Sequence, residues 1–296
     1  MALVQDRVIV TAALTGVLAT REQCPHLPYT PAEIGEEARR AYEAGAAVVH
    51  IHGRAPDGGP TWSVDTYAEI KREVQARSPI IVNFSTGGFN MGADGEAEKA
   101  ERLSYVSRTR PEIAALNMGS MNYAKYSAGR KAFVFDLVFP NPFGDILLAA
   151  TAMREGGVKP ELECFDLGHV ANAQPLLEMG ALKRPLQYSF ILGVLGGAPP
   201  SAETLASMAR SIGREDTWEI IGIGRAQWRL VGAALALGGN IRVGLEDNFY
   251  LDAAGTEMAK GNGPLVEKAV RMARDVGREA MSPDEARRAL SLPQAW

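Results

Sequence analysis

Two histidines one residue apart, His50 and His52, close the run Val48-Val49-His50-Ile51-His52-Gly53. The run reads as a short strand, whose side chains alternate between faces, so both imidazoles point one way and Ile51 the other. Two imidazoles on one face at the C-terminal end of a strand form a metal-ligand arrangement. They would also serve as core histidines satisfied by neighbouring carbonyls, and the pair alone leaves both readings open. A third donor lies nearly two hundred residues downstream, in Asn240-Ile241-Arg242-Val243-Gly244-Leu245-Glu246-Asp247-Asn248. Read as one strand, this segment puts Arg242, Gly244 and Glu246 on a shared face. Glu246 would then complete a His₂Glu zinc site with open coordination positions. The competing reading of Arg242 and Glu246 is an ion pair that holds the strand. Asp247 has the opposite parity, so it must sit where the strand has ended or bulged, and there it can turn back toward Arg242.

Such convergence needs a scaffold that brings distant strand ends together. Apolar, β-branched runs at 7–14, 48–53, 79–85, 112–118, 162–166, 186–192, 218–223 and 241–246 alternate with stretches of helical period. Thr30-Pro31 with Glu33 starts a helix that stops at Gly45. Further helices are expected at 64–77, 95–107, 143–155, 201–212 and 226–237, with a short one reaching Met179. A small hairpin is expected as an insertion at 122–141, and helices at 264–277 and 283–290 close the chain. Nearly all-apolar strands separated by helices imply a parallel sheet covered on its outer face. Eight such units imply a closed (β/α)₈ TIM barrel with extra C-terminal helices, one domain over 1–296. The open doubly wound alternative needs a phosphate fingerprint after the first strand, and Thr15-Gly16-Val17-Leu18 is not one.

The chain has 296 residues, 46 % hydrophobic and 22 % charged, with a formal net charge of −4. That charge argues against a nucleic-acid partner and leaves anionic ligands to local arginines. Cys24 and Cys164 suit free thiols in a reducing compartment, with a disulfide between them the less favoured reading. No apolar run is long enough for a membrane span, and the N-terminus lacks a signal peptide's apolar region, so a cytoplasmic enzyme is expected.

In a barrel the C-terminal strand ends carry the active site. The polar residues expected there, besides His50 and His52, are Ser85, Asn117, Gly119, Ser120, Glu161, Glu163, Asp166 and Arg225. Ser85-Thr86-Gly87-Gly88 offers hydroxyls and close-approach backbone N–H groups suited to a carboxylate or phosphate, or is simply a tight turn. Gly222 and Gly224 leave room for a substrate or mark tight local packing. His26 and His169 are weak ligand candidates.

These segments together resemble the β-keto acid cleavage enzyme family along the whole chain. The resemblance rests on Thr15-Gly16, Thr20-Arg21-Glu22, Tyr42-Glu43-Ala44-Gly45-Ala46, His50-Ile51-His52, Ser85-Thr86-Gly87-Gly88, Leu116-Asn117-Met118-Gly119-Ser120, Glu161-Leu162-Glu163-Cys164-Phe165-Asp166, Gly222-Ile223-Gly224-Arg225 and Arg242 to Asn248. It implies a zinc-dependent barrel that condenses a β-keto acid with acetyl-CoA to acetoacetate and a new acyl-CoA. It also implies that His50, His52 and Glu246 hold the zinc, and that Asp247 accepts a proton while Arg242 orients it. Ser85 would contact the substrate and help transfer, with Thr86, Gly87, Asn117, Ser120 and Glu163 as further substrate-binding candidates. A homotetramer is implied, with the C-terminal helices as candidate contacts.

One position departs from the pattern. A characterised branch of the family carries, after the first-loop Thr-Gly, a glutamate that meets a cationic group on its substrate. Leu18 stands at that place, so an uncharged or apolar substrate side chain is expected. Two rival classes remain. A zinc hydrolase on a barrel usually recruits more histidines from later strands, where only His169 is available. A non-catalytic metal- or ligand-binding barrel is the other.

Overall fold

A computed structural model of the protein describes residues 6–87 and 95–292. Gly88, the last residue of the expected anion-binding loop, lies outside them. The barrel strands are β1 (Val10–Ala13), β2 (Val48–Ile51), β3 (Ile81–Phe84), β4 (Ile113–Asn117), β5 (Lys159–Cys164), β6 (Gln187–Leu192), β7 (Thr217–Gly222) and β8 (Asn240–Val243). They pair in parallel in chain order, and β8 pairs with β1 to close the ring. Closure removes both sheet edges, and it rules out the open doubly wound sheet.

Local sequence explains the elements that surround this ring. In the first helix, Pro31–Glu43, the Thr30 side chain accepts from the Glu33 N–H and Glu33 accepts from the Thr30 N–H. Ile34, Ala38 and Ala41, spaced three to four apart, fill the buried face of that helix. The same logic caps the helix Pro283–Ala289 with Ser282 and Glu285. That helix closes the N-terminal end of the barrel. Ala286, Leu290 and Leu292 pack with Ile9, Val48, Ile81 and Ile113. Arg287 reaches Glu112 at 2.6 Å and the Pro79 carbonyl at 2.9 Å. At the opposite end, the expected insertion is an antiparallel hairpin of Met121–Ser127 and Ala132–Phe139.

Three boundaries differ from the sequence reading. The expected strand at 7–14 splits: Arg7–Val8 pairs with Glu279–Ala280 outside the barrel, and the Ile9 N–H donates to the Asn240 side chain at 2.8 Å. The strand expected at 162–166 starts three residues earlier, and Asp166 caps the following short helix instead of extending the strand. The last strand stops at Val243 and not at Glu246. Gly244 takes φ +147°, and a Cβ there would meet the Ala13 carbonyl oxygen at 2.1 Å. Only a residue without a side chain lets the chain leave the barrel wall at this point and turn back over its mouth.

The variant Gly244→Ala is therefore expected to lose about 3 kcal/mol or more of stability. A denaturation midpoint equal to that of the wild type would show that the backbone turn tolerates a side chain.

Candidate active site

The C-terminal mouth of the barrel opens into a cavity of about 830 Å³. Its floor is set by strand register. Arg242 pairs with Thr11, whereas His50 pairs with Ala13, two residues higher on the same neighbouring strand. The arginine thus starts about 6–7 Å deeper than the histidine and its side chain spans the difference. The turn after Gly244 then brings Glu246 and Asp247 down onto its head. Arg242 Nε and Nη2 donate to the two Asp247 oxygens at 3.0 and 2.9 Å, and Nη2 also donates to Glu246 Oε1 at 2.7 Å. Parity along one strand had put Glu246 on the Arg242 face. The structure reaches the same neighbourhood through a turn, and Asp247 does fold back on Arg242.

Three donors converge beside this cluster. Glu246 Oε1 lies 3.3 Å from His52 Nε2 and 3.7 Å from His50 Nε2. One ligand atom from each of His50, His52 and Glu246 falls within 4.8 Å of the others. His50 is fully buried, and neither ring nitrogen has a hydrogen-bond partner among the described residues. An imidazole buried without partners is costly unless something else satisfies it. Burial, reinforced by the Arg242 charge, holds His50 well below its usual pKa and so neutral. Burial works against the Glu246 carboxylate, but the Arg242 charge outweighs it and keeps the group ionised. Two imidazole nitrogens and one carboxylate oxygen are the donor set of an open zinc site, so these residues fit the metal.

The first loop is latched to this centre. Thr15 Oγ1 accepts from the His52 N–H at 2.9 Å and donates to the His52 carbonyl at 3.1 Å. The Gly16 N–H donates to Glu246 Oε2 at 3.2 Å, and a Cβ on Gly16 would meet Glu246 Cγ at 2.9 Å. Arg54, which the sequence reading passed over, holds the loop from below. Its guanidinium donates to the carbonyls of Thr15, Gly16, Ala19 and Gly58 and lies over the Tyr29 ring.

Of a polar layer beneath the site the sequence reading named Glu161 alone. Thr11 donates to Glu219, Ser189 Oγ donates to Glu161 and lies 3.1 Å from Glu219 Oε1, whose protonated form can donate to it, and Asn83 donates to the other Glu161 oxygen. All five side chains are buried. Burial, and then the Glu161 charge, push Glu219 well above its usual pKa. The available signal was parity: these residues stand at inward positions of otherwise apolar strands. Burial, and then Glu161, also raise Glu163 to about 8. Asp247 rises to about 6, burial outweighing the pull of Arg242.

Ser85, Gly87, Asn117 and Glu163 line the cavity with His52, Arg242, Glu246 and Asp247. Ser85 Oγ accepts from the Gly87 N–H at 3.2 Å, and Asn117 Oδ1 is buried with no partner among the described residues. Thr86 and Ser120 are not brought to the cavity wall. The Thr86 hydroxyl donates to the Ala115 carbonyl, and Ser120 Oγ accepts from the Asn141 N–H. His169 is tied to the backbone, its Nδ1 accepting from the Phe165 N–H, and His26 is exposed. Gly222 packs against Gln227, where a Cβ would sit 2.7 Å from Cα, whereas Gly224 lines the cavity. Cys24 and Cys164 are both free and buried.

Known proteins match this chain along its length. The model of the beta-keto acid cleavage enzyme family matches residues 7–292. A 3-keto-5-aminohexanoate cleavage enzyme of Fusobacterium nucleatum is 39% identical over 288 residues, covering 97% of this chain and 98% of its own. A 3,5-dioxohexanoate:acetyl-CoA acetone transferase of Paraburkholderia graminis is 34% identical, covering 98% and 97%. A 3-oxoadipate:acetyl-CoA acetyltransferase of Cupriavidus necator is 32% identical, covering 96% and 95%. Among solved structures, the apo structure of ObcA has the same fold, with a TM-score of 0.75 at 22% identity over 90% of this chain and 66% of that one.

Arg242 is the only cation hydrogen-bonded to both Glu246 and Asp247 among the described residues, so Arg242→Met is expected to cost roughly 3–5 kcal/mol. Adding Asp247→Asn should recover part of that loss, because it removes one uncompensated buried charge. Strictly additive losses in a double-mutant cycle would refute the coupling.

Proposed function

The chain belongs to the β-keto acid cleavage enzyme family, and on that footing we propose that it exchanges the acyl group of a β-keto acid for the acetyl group of acetyl-CoA. The products are acetoacetate and a new acyl-CoA. One observation carries this reading: a buried carboxylate, Asp247, held by two N–H groups of Arg242 beside a His50–His52–Glu246 donor set at the floor of a cavity.

The carbon between the two carbonyls of a β-keto acid must lose a proton before it can attack a thioester. Asp247 accepts that proton, and its pKa near 6 suits a base working near neutral pH. Arg242 orients Asp247 and places positive charge where negative charge develops on oxygen. The freed electron pair attacks the acetyl carbonyl and forms the new carbon–carbon bond as the CoA thiolate leaves. The thiolate then attacks the original acyl carbonyl, the original carbon–carbon bond breaks, and the acetoacetate carbanion so released takes back the proton held by Asp247. A zinc ion held by His50, His52 and Glu246 would polarise the keto acid's carbonyl as a Lewis acid. Ser85 Oγ, the Gly87 backbone and the unpartnered Asn117 Oδ1 face the same space and position the substrate.

The substrate side chain is uncharged or apolar. Leu18 lines the cavity together with Phe139, Phe165, Ile191 and Ile221, members of a small hydrophobic cluster separate from the main core. An ammonium placed against these groups would lose water and gain no partner. We further read the protein as a homotetramer of the cytoplasm. The exposed apolar side chains of the hairpin, Phe133 and Val138 among them, support association, and the free thiols suit a reducing compartment.

Zinc-loaded protein incubated with acetyl-CoA and a panel of β-keto acids is expected to form acetoacetate, followed by mass. Stripping the metal with a chelator should abolish turnover and lower the melting temperature. No acetoacetate from any member of a broad panel would overturn the reading, and turnover with water in place of acetyl-CoA would favour a hydrolase. The variant Leu18→Glu is expected to shift kcat/KM toward amino-substituted keto acids by about tenfold or more, a gain of one charge-assisted hydrogen bond. An unchanged preference would sink the assignment of Leu18 as the selecting residue.

A further inference from the structure

The cavity carries a feature that the exchange chemistry at its floor does not use. Among the described residues three cationic side chains line it: Lys125, Arg225 and Arg242. Arg242 is buried and committed to Asp247 and Glu246. Lys125 and Arg225 are both exposed at the rim, and neither has a hydrogen bond or ion pair among the described residues. The cavity also holds three carboxyl groups, Glu163, Glu246 and Asp247, in a chain of net charge −4. A polyanion approaching this mouth therefore meets its attraction at these two side chains and not from the protein's overall field.

Both cations are placed by structure. Arg225 follows Gly224, which takes φ +63° two residues beyond the end of β7, and the Gly224 N–H donates to the Asp247 carbonyl at 2.8 Å. The Arg225 turn is thus tied to the backbone of the base it overlooks. Gly255 supports the guanidinium from the other side, where a Cβ would meet Arg225 Nε at 3.1 Å. Lys125 sits on the hairpin strand Met121–Ser127 opposite Phe135, and the neighbouring Ala124 N–H bonds to the Leu195 carbonyl at 3.2 Å. Between this rim and the charged floor lies an uncharged wall that includes Tyr123, Phe139, Val194 and Ile223.

We propose that Lys125 and Arg225 anchor the diphosphate of the co-substrate's nucleotide handle, while the apolar wall below them receives its uncharged pantetheine arm. This order of chemistries, cationic rim, neutral wall and reactive floor, follows the order along an acyl-CoA: phosphates, pantetheine, thioester. The inference rests on the acetyl-CoA reading and deepens it.

The test compares acetyl-CoA with acetyl-pantetheine, which has the same thioester and arm but no nucleotide, on the zinc-loaded enzyme. Arg225→Gln and Lys125→Gln are each expected to raise KM for acetyl-CoA about tenfold, the equivalent of one charge-assisted contact, with the double variant close to the product of the two. The penalty should be at least about fivefold smaller with acetyl-pantetheine. The salt dependence of KM for acetyl-CoA should flatten in the double variant. Equal penalties on both thioesters, or an unchanged KM for acetyl-CoA, would overturn the anchoring role and leave the exchange reaction standing. A wild type that neither turns over nor calorimetrically binds acetyl-CoA would overturn both.

Discussion

A guanidinium sealed inside the barrel sets the terms for everything around it. Arg242 is fully buried, and a buried charge is tolerated only where hydrogen-bonded counter-charge surrounds it. Asp247 and Glu246 supply that counter-charge from five and four residues downstream, and Glu163 approaches Nη1 at 3.7 Å. The turn at Gly244, the latch of the first loop onto Glu246 and the neutral state of His50 are each tied to this charge. An apolar residue at 242 would leave the carboxyl groups to repel one another.

The barrel divides labour between its ends. At the N-terminal end, an apolar plug and the capped helix Pro283–Ala289 close the ring with ordinary hydrophobic packing. Toward the mouth the interior changes character, through the Thr11–Glu219–Ser189–Glu161–Asn83 layer to the His50, His52 and Glu246 donors. Polar groups in such a place must be satisfied by one another, which locks their rotamers. The floor of the cavity is thus preorganised before any ligand arrives, and stiffness of this kind is what positioned acid–base and metal chemistry requires. Arg54 extends the stiffness outward by binding three carbonyls of the loop bearing Leu18 and tying them to the Gly58 carbonyl of the loop after β2.

Family membership and local geometry answer different questions. Matches over nearly the whole chain, to relatives that are named for different keto acids, settle the family and leave the substrate open. The side chains that differ in chemistry around the cavity wall are then the informative ones. Leu18 and the Phe139–Phe165–Ile191–Ile221 cluster belong to the apolar part of that wall. The charged floor of the cavity draws on a separate set of groups, Arg242, Glu246 and Asp247 among them.

Much of this was legible in the residues alone. Alternating apolar runs and helical periods determine eight βα units, and a strand's two-residue period puts His50 and His52 on one face whatever the rest of the chain does. Caps such as Thr30 with Glu33 are equally local. The position of Glu246 was reached by extending a strand that in fact ends at Val243, and the right neighbourhood followed because a glycine-driven turn returns the chain to the same mouth. What lay beyond the sequence depends on closure. Which strand end stands level with which is set by the register between β8, β1 and β2, and pattern within a single strand carries no information about that offset. Closure also decided which polar residues are buried together, as with Glu219 and Ser189, and which are spent elsewhere, as with Thr86 and Ser120. A residue's type limits what chemistry it can do, but burial and partners fix its charge and direction, and those arise only when distant strands meet.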